Sequence, residues 1–115
     1  MGGFGAIRTG LYYNETFSKV VGLSSALIIH NVKNKKEGFK DAIADYDYYT
    51  LVFGNLEQLE NSVNNPEYLI KKLKEENKPI PKIYMACGTE DFLIEENRAF
   101  FRFLKDENID VEYIE

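Results

Sequence analysis

The sequence is poor in the residues that build disulfides and metal sites, since its 115 residues include one cysteine and one histidine. A single cysteine excludes a disulfide within the chain, and one cysteine with one histidine leaves no metal-ligand spacing. We therefore expect no metal and no other cofactor. Cys87 lies in the apolar run IYMACG, where a small core residue is the simplest interpretation.

Positive charge is also scarce, because 14 Lys and Arg stand against 19 Asp and Glu, which gives a net charge of −5. No basic stripe suited to nucleic acid occurs, and the densest basic stretch, Lys33–Lys36, is typical of a solvated loop. No apolar run reaches the roughly 18 residues needed to span a bilayer, and no signal-peptide pattern is present. The sequence predicts neither a nucleic-acid nor a membrane partner, and it only slightly favours a cytoplasmic location.

Apolar residues make up 44% of the chain and aromatic residues 14%, which is ample for one small packed core. Gly3, Ile7 and Gly10 recur at helical spacing and predict an opening helix with a small-residue face. Short apolar runs at Ser18–Ala26 and Pro81–Gly88 predict two buried strands. The segment 27–64 has no clean period, and we expect short helices and irregular structure there.

The second half of the chain carries clearer signals. Asn65 and Pro66 are typical of a helix start. Apolar residues at helical spacing predict the buried faces of this helix and a later one: Leu69, Ile70 and Leu73, then Ala99, Phe100, Phe103 and Leu104. IDVEYIE alternates like a strand near a sheet edge. Strands alternating with helices predict an α/β fold with three parallel strands and flanking helices.

The chain opens with MGGFGA, which places three glycines among five residues. Glycines gather where a backbone turns sharply or where two backbones come close. In a nucleophile elbow, G-x-S-x-G, glycines flank a serine on a tight strand-to-helix turn. The opening resembles the second half of such an elbow, the Gly-x-Ser-Met-Gly-Gly-x-Gly-Ala run of esterase D-like α/β-hydrolases, a family that includes tributyrin, acetyl and feruloyl esterases.

The resemblance continues along nearly the whole chain and is weakest between residues 30 and 52. VVGLSSA resembles the strand after the elbow helix, and IYMACGTEDFLIEENRAFFRFLKDENIDVEYIE resembles the strand, acid loop, helix and strand that end this fold. The resemblance therefore implies the C-terminal part of an α/β-hydrolase fold. Residues 1–115 would form one partial domain, from the elbow helix through the last strand.

The same resemblance implies a serine carboxylesterase that acts on short-chain acyl or carbohydrate esters without a cofactor. On this alignment Met1 follows the nucleophilic serine, and its backbone N–H contributes to the oxyanion hole. The serine would precede residue 1, and the catalytic histidine would follow Glu115. We therefore expect the 115-residue chain to be inactive by itself.

Asp91, in CGTED, is the candidate acid of the catalytic triad. It follows a predicted strand of a parallel sheet, at the edge where such folds place their sites. Spacing alone favours a plainer role, in which Asp91 caps a helix or bends a loop. The resemblance assigns it the triad role, with Glu90 as the local alternative.

Two further groups of residues raise functional possibilities. The resemblance suggests that four aromatic residues line an acyl or alcohol pocket: Tyr46, Tyr48, Tyr49 and Phe53. Ordinary packing is the alternative for each of them. His30 could be drawn into a triad with Ser24 or Ser25, but neither serine has the flanking glycines of an elbow, so we interpret His30 as a packed or surface residue.

Two other classes of function compete with the esterase. Gly2, Gly3 and Gly5 could cradle a phosphate or nucleotide at a helix N-terminus in a non-catalytic module, although no lysine follows at the P-loop position. An incomplete sheet would also expose an edge and an apolar face. On that basis we expect self-association.

Overall fold

Three parallel strands form the sheet in the computed structural model, which describes residues 1–115. They are β1 (Lys19–Leu23), β2 (Lys82–Ala86) and β3 (Val111–Ile114), in the order β1-β2-β3. Val20 lies beside Ile83, and Ile83 lies beside Val111. The predicted set of three parallel strands is confirmed, with β3 at one edge.

Five α-helices and one 3-10 turn connect and cover the strands. They are α1 (Gly2–Tyr12), α2 (Ile29–Val32), α3 (Tyr46–Phe53), the 3-10 turn Leu59–Asn61, α4 (Pro66–Glu75) and α5 (Ile94–Asp106). The short α2, α3 and 3-10 turn confirm the expectation for the segment 27–64. None of the helices is long and apolar enough to cross a membrane.

Helix α1 packs directly on β1 because small residues face the strand. A Cβ atom added at Gly10 would lie 2.2 Å from Val20 Cγ2, and one added at Gly22 would lie 2.5 Å from Ile7 Cδ1. No side chain larger than hydrogen fits these two positions without movement. The small-residue face predicted for the opening helix is confirmed.

One face of β1 remains open, which the prediction of a buried strand did not anticipate. Val20 and Gly22 are buried against α1, whereas Val21 and Leu23 are 54% and 64% exposed. Continuous apolarity predicts burial on both faces only where helices cover both. In this chain no helix lies over the face that carries Val21 and Leu23.

Helix α4 forms as its sequence signals predict. The Asn65 side chain accepts a hydrogen bond from the Glu67 backbone N–H at 3.1 Å, and Pro66 occupies the first turn. The three predicted apolar positions, Leu69, Ile70 and Leu73, are all buried.

Helix α5 departs from prediction at one position. Phe100 and Leu104 are buried, but Ala99 is exposed, and Asn97 is fully buried instead. Asn97, Phe100 and Leu104 follow the i, i+3, i+7 spacing of a single helix face. Ala99 precedes Phe100 by one residue and is therefore rotated away from that face.

Candidate active site

The candidate site lies at the edge of the sheet where the three parallel strands end. A shallow groove of about 310 Å³ crosses this edge. It is lined by Leu23, Ser24, Ala86, Cys87, Gly88, Ile114 and Glu115. Parallel strands bring the residues that follow each of them to one rim, and α/β folds place their ligands there.

The amino end of α1 reaches the same rim. A Cβ atom at Gly3 would lie 2.3 Å from Ser25 Oγ and 2.6 Å from the Leu23 carbonyl oxygen. The first turn of α1 therefore stands against the end of β1, and only glycine fits there. Gly2 and Gly5 have open space around them. Met1 precedes the helix, is 45% exposed, and accepts a hydrogen bond at its carbonyl from the Gly5 N–H at 2.9 Å.

Asp91 occupies a tight turn just beyond β2. Its N–H donates to the Gly88 carbonyl at 3.1 Å, and its Oδ1 accepts from the Leu93 N–H at 2.8 Å. Its Oδ2 makes no hydrogen bond within the chain. One carboxylate oxygen is therefore held by the loop, and the other is free to accept a hydrogen bond. Asp91 can shape the loop and also accept a hydrogen bond from another side chain.

Glu90 differs from Asp91, which is half-buried and anchored by a backbone N–H. Its side chain is exposed, and no backbone N–H fixes its carboxylate. A long side chain without an anchor loses more conformational entropy when it is held in one geometry. The geometry favours Asp91 over Glu90 as the residue that could orient another side chain.

Cys87 lines the groove, and the charge of Asp91 affects its thiol. Its thiol is buried, as predicted for a core residue. Burial, followed by the negative charge of Asp91, raises the pKa of the Cys87 thiol. Cys87 therefore remains a neutral thiol at neutral pH.

A charged cluster that sequence patterns did not predict closes the end of β3. Arg98 Nε and Nη2 each donate to the Glu115 carboxylate at 2.8 Å. The paired hydrogen bonds from Arg98 are the main cause that lowers the pKa of Glu115 to about 2. Burial and Glu115 raise the pKa of Tyr113 to about 12. A bidentate pair of this kind fixes the direction of the chain where β3 ends.

The four aromatic residues proposed for a pocket divide into two pairs. Tyr49 and Phe53 are each 1% exposed and stack in the core, and Tyr49 donates to Asp41 Oδ1 at 2.8 Å. Their burial favours the packing role that the sequence also allowed. Tyr46 is half-buried and Tyr48 is 42% exposed, so a pocket role for these two stays a prediction.

His30 lies away from the rim residues. Its ring is exposed on α2, and Nε2 is 2.9 Å from Glu67 Oε2 at the start of α4. Ser25 is fully buried beneath α1. This agrees with the interpretation of His30 as a surface residue. No cluster of three or more His, Cys, Asp or Glu side chains is close enough to hold a metal ion.

The chain is similar to a curated protein and to several solved structures. No family model matches the chain. Over all 115 residues the chain is 52% identical to an acetyl esterase from Caldicellulosiruptor saccharolyticus and spans 43% of that protein. It is therefore less than half as long as this relative.

Two of the similar solved structures are hydrolases from Staphylococcus aureus. The S-formylglutathione hydrolase FrmB superposes with a TM-score of 0.76 at 30% identity, covering 98% of this chain and 42% of FrmB. The fluorophosphonate-binding serine hydrolase FphF gives a TM-score of 0.76 at 28% identity, covering 97% and 41%. The predicted partial α/β-hydrolase fold is confirmed.

Proposed function

We propose that this chain, which belongs to the esterase-type α/β-hydrolases, supplies the acid and one wall of the active site of a serine carboxylesterase. The likeness to an acetyl esterase and to two serine hydrolases supports this reaction class. The observation that carries the proposal is geometric. The Asp91 carboxylate is anchored at Oδ1 and makes no hydrogen bond at Oδ2. Asp91 follows β2, whose end pairs with the end of β1, and Gly3 in the first turn of α1 lies against that end of β1.

The proposed chemistry is acyl transfer in two steps. A serine placed immediately before Met1 attacks the ester carbonyl, and a histidine placed after β3 takes the serine proton and passes it to the leaving alcohol. Water then attacks the acyl-enzyme. The histidine takes a proton from this water and returns it to the serine oxygen as the acid product leaves. Asp91 Oδ2 accepts the imidazole Nδ1–H, which holds the ring in the correct tautomer and stabilises the imidazolium.

The remaining residues shape the site around that triad. The Met1 N–H, together with the positive end of α1, would stabilise the oxyanion. Tyr46 and Tyr48 would border the acyl or alcohol pocket, because their side chains are not enclosed by the core. The proposed substrates are small molecules, namely short-chain acyl or carbohydrate esters. Their hydrolysis by this mechanism needs no cofactor.

A chimera tests this proposal. Residues 1–115 replace the matching segment of the acetyl esterase from Caldicellulosiruptor saccharolyticus, which aligns over the full 115 residues. We expect the chimera to hydrolyse p-nitrophenyl acetate with a burst of one nitrophenol per active site, and a fluorophosphonate to abolish turnover. A chimera that unfolds cooperatively on heating but neither hydrolyses the ester nor reacts with the fluorophosphonate would contradict the proposal.

The isolated chain should behave differently from the chimera. We propose that it is inactive, since it has no serine in an elbow and its one histidine pairs with Glu67. We also propose that it self-associates through the open face of β1, where Val21 and Leu23 are exposed. Turnover by the isolated chain that Asp91→Asn abolishes would contradict the first point, and a monomer in micromolar sedimentation velocity would contradict the second.

A further inference from the structure

Asn97 is a fully buried polar residue in the middle of α5. Its Nδ2 donates two hydrogen bonds, one to the Ser25 carbonyl at 2.9 Å and one to the Leu93 carbonyl at 2.9 Å. Two carbonyl acceptors can be satisfied only by the NH₂ end of the amide, which fixes its orientation. The bond to Ser25 joins segments that are 72 residues apart in sequence.

One end of this bridge holds the Asp91 turn. The Leu93 carbonyl accepts from Asn97, while the Leu93 N–H donates to Asp91 Oδ1 at 2.8 Å. The Ile94 N–H donates to the Asp91 carbonyl at 3.0 Å. Leu93 thus lies directly between the Asn97 amide and the Asp91 carboxylate, and a shift at Leu93 moves the carboxylate.

The other end of the bridge holds the segment beneath α1. Ser25 follows β1, and its Oγ would lie 2.3 Å from a Cβ at Gly3, so this segment is in contact with the first turn of α1. Ser24 has a φ of 44°, a left-handed conformation that a non-glycine residue adopts only when its surroundings impose it. The Asn97 amide therefore connects the Asp91 turn to the segment that contacts the first turn of α1.

A contribution to the stability of the fold does not explain why an asparagine occupies position 97. The Ser25 carbonyl also accepts from the Leu27 N–H at 2.9 Å, and the Leu93 carbonyl also accepts from the Asn97 backbone N–H at 3.1 Å. Both carbonyls would therefore keep a donor without the side chain. The Asn97 Oδ1 is buried with no partner, which is unfavourable. An apolar side chain of similar size should be tolerated.

We propose that Asn97 is a positioning residue for catalysis, which fixes the Asp91 carboxylate relative to the amino end of α1. The inference rests on the proposed function, because it gives Asn97 its role through Asp91. The test variant is Asn97→Leu, which keeps the branching of the side chain at Cγ, adds some volume, and removes both donated hydrogen bonds. A misplacement of about 1 Å in a catalytic group can cost about 100-fold in rate.

The first measurement uses the 115-residue chain and follows amide hydrogen exchange. In Asn97→Leu the Leu93 N–H, which donates to Asp91, should exchange about tenfold faster or more. The Tyr48 N–H is the matched control, because it makes the same kind of local bond to Asp45 Oδ1 at 2.9 Å. Its exchange should not change. Equal exchange of Leu93 in wild type and variant would overturn the inference.

The second measurement uses the esterase chimera and separates positioning from stability. Asn97→Leu should lower kcat by about 10- to 100-fold and leave KM within about twofold. Ile70→Val, in the core of α4, is the stability control and should leave kcat unchanged. An active chimera in which Asn97→Leu keeps the wild-type kcat overturns this inference alone. An inactive wild-type chimera instead overturns the proposed function and this inference with it.

Discussion

The close approach of α1 to β1 makes a quantitative prediction for Gly10→Ala. The added Cβ would lie 2.2 Å from Val20 Cγ2 and 3.3 Å from both Val20 Cβ and Cγ1. Ordinary carbon contacts are about 3.5–4.0 Å, so the helix or the valine must move by about 1.5 Å. Valine has few alternatives, because its branched side chain is stiff about χ1. Overpacking of this kind costs about 1–3 kcal/mol.

Gly5→Ala is the matched control, since both glycines lie in α1 and nothing is within 4 Å of a Cβ at Gly5. Replacing glycine by alanine in a helix gains about 0.5–1 kcal/mol at either position. This gain cancels when the two variants are compared. The difference between them therefore isolates the overpacking cost, and Gly10→Ala should be less stable than Gly5→Ala by about 1–3 kcal/mol.

Urea unfolding followed by circular dichroism measures this difference through the transition midpoint at constant slope. In thermal unfolding each kcal/mol should correspond to a shift of about 4–8 °C for a domain of this size. Equal stability of the two variants would show that α1 does not lie against Val20. The packing that places the amino end of α1 at the carboxyl edge of the sheet would then be wrong.

Three further predictions concern other parts of the chain. Arg98 lowers the pKa of Glu115 from 4.5 to about 2, so this pair stabilises the fold above pH 4.5 and the contribution is lost as the pH falls through about 2. The difference in urea midpoint between wild type and Arg98→Gln should shrink as the pH falls from 4.5 to about 2. A difference that does not change with pH would refute the stabilising role of the pair. Because the Cys87 thiol is buried with a raised pKa, iodoacetamide should alkylate the native chain at least ~100-fold more slowly than the unfolded chain, and similar rates would contradict its burial. Gly3 packs on Ser25, so millimolar phosphate should not raise the melting temperature. A clear rise would instead favour the phosphate-binding alternative.

Local signals in the sequence predicted most of the elements. The Asn65–Pro66 start, the apolar spacing of α4 and the alternation in β3 depend on neighbours within a few residues, which the sequence displays directly. The failures concern which side of an element is covered. Ala99 and Val21 are apolar and lie in apolar runs, but their exposure depends on where other elements pack.

The candidate site was predictable only in part. Asp91 follows from the resemblance together with the rule that parallel strands share a carboxyl edge. Asn97 could have been noticed as a polar residue on the same helical face as Phe100 and Leu104, but its partner Ser25 lies 72 residues away. The Arg98–Glu115 pair depends in the same way on how α5 packs beside β3. Contacts of this kind are set by tertiary packing and leave no local pattern.

The most direct test of the central claim is the kcat of the esterase chimera with Asp91→Asn beside Glu90→Gln. The two substitutions remove one carboxylate each from neighbouring residues of the same turn. If Asp91 is the triad acid, Asp91→Asn should lower kcat by about 10⁴-fold, and Glu90→Gln should leave it within about twofold. A kcat for Asp91→Asn within about tenfold of wild type, or a larger loss for Glu90→Gln, would contradict the account.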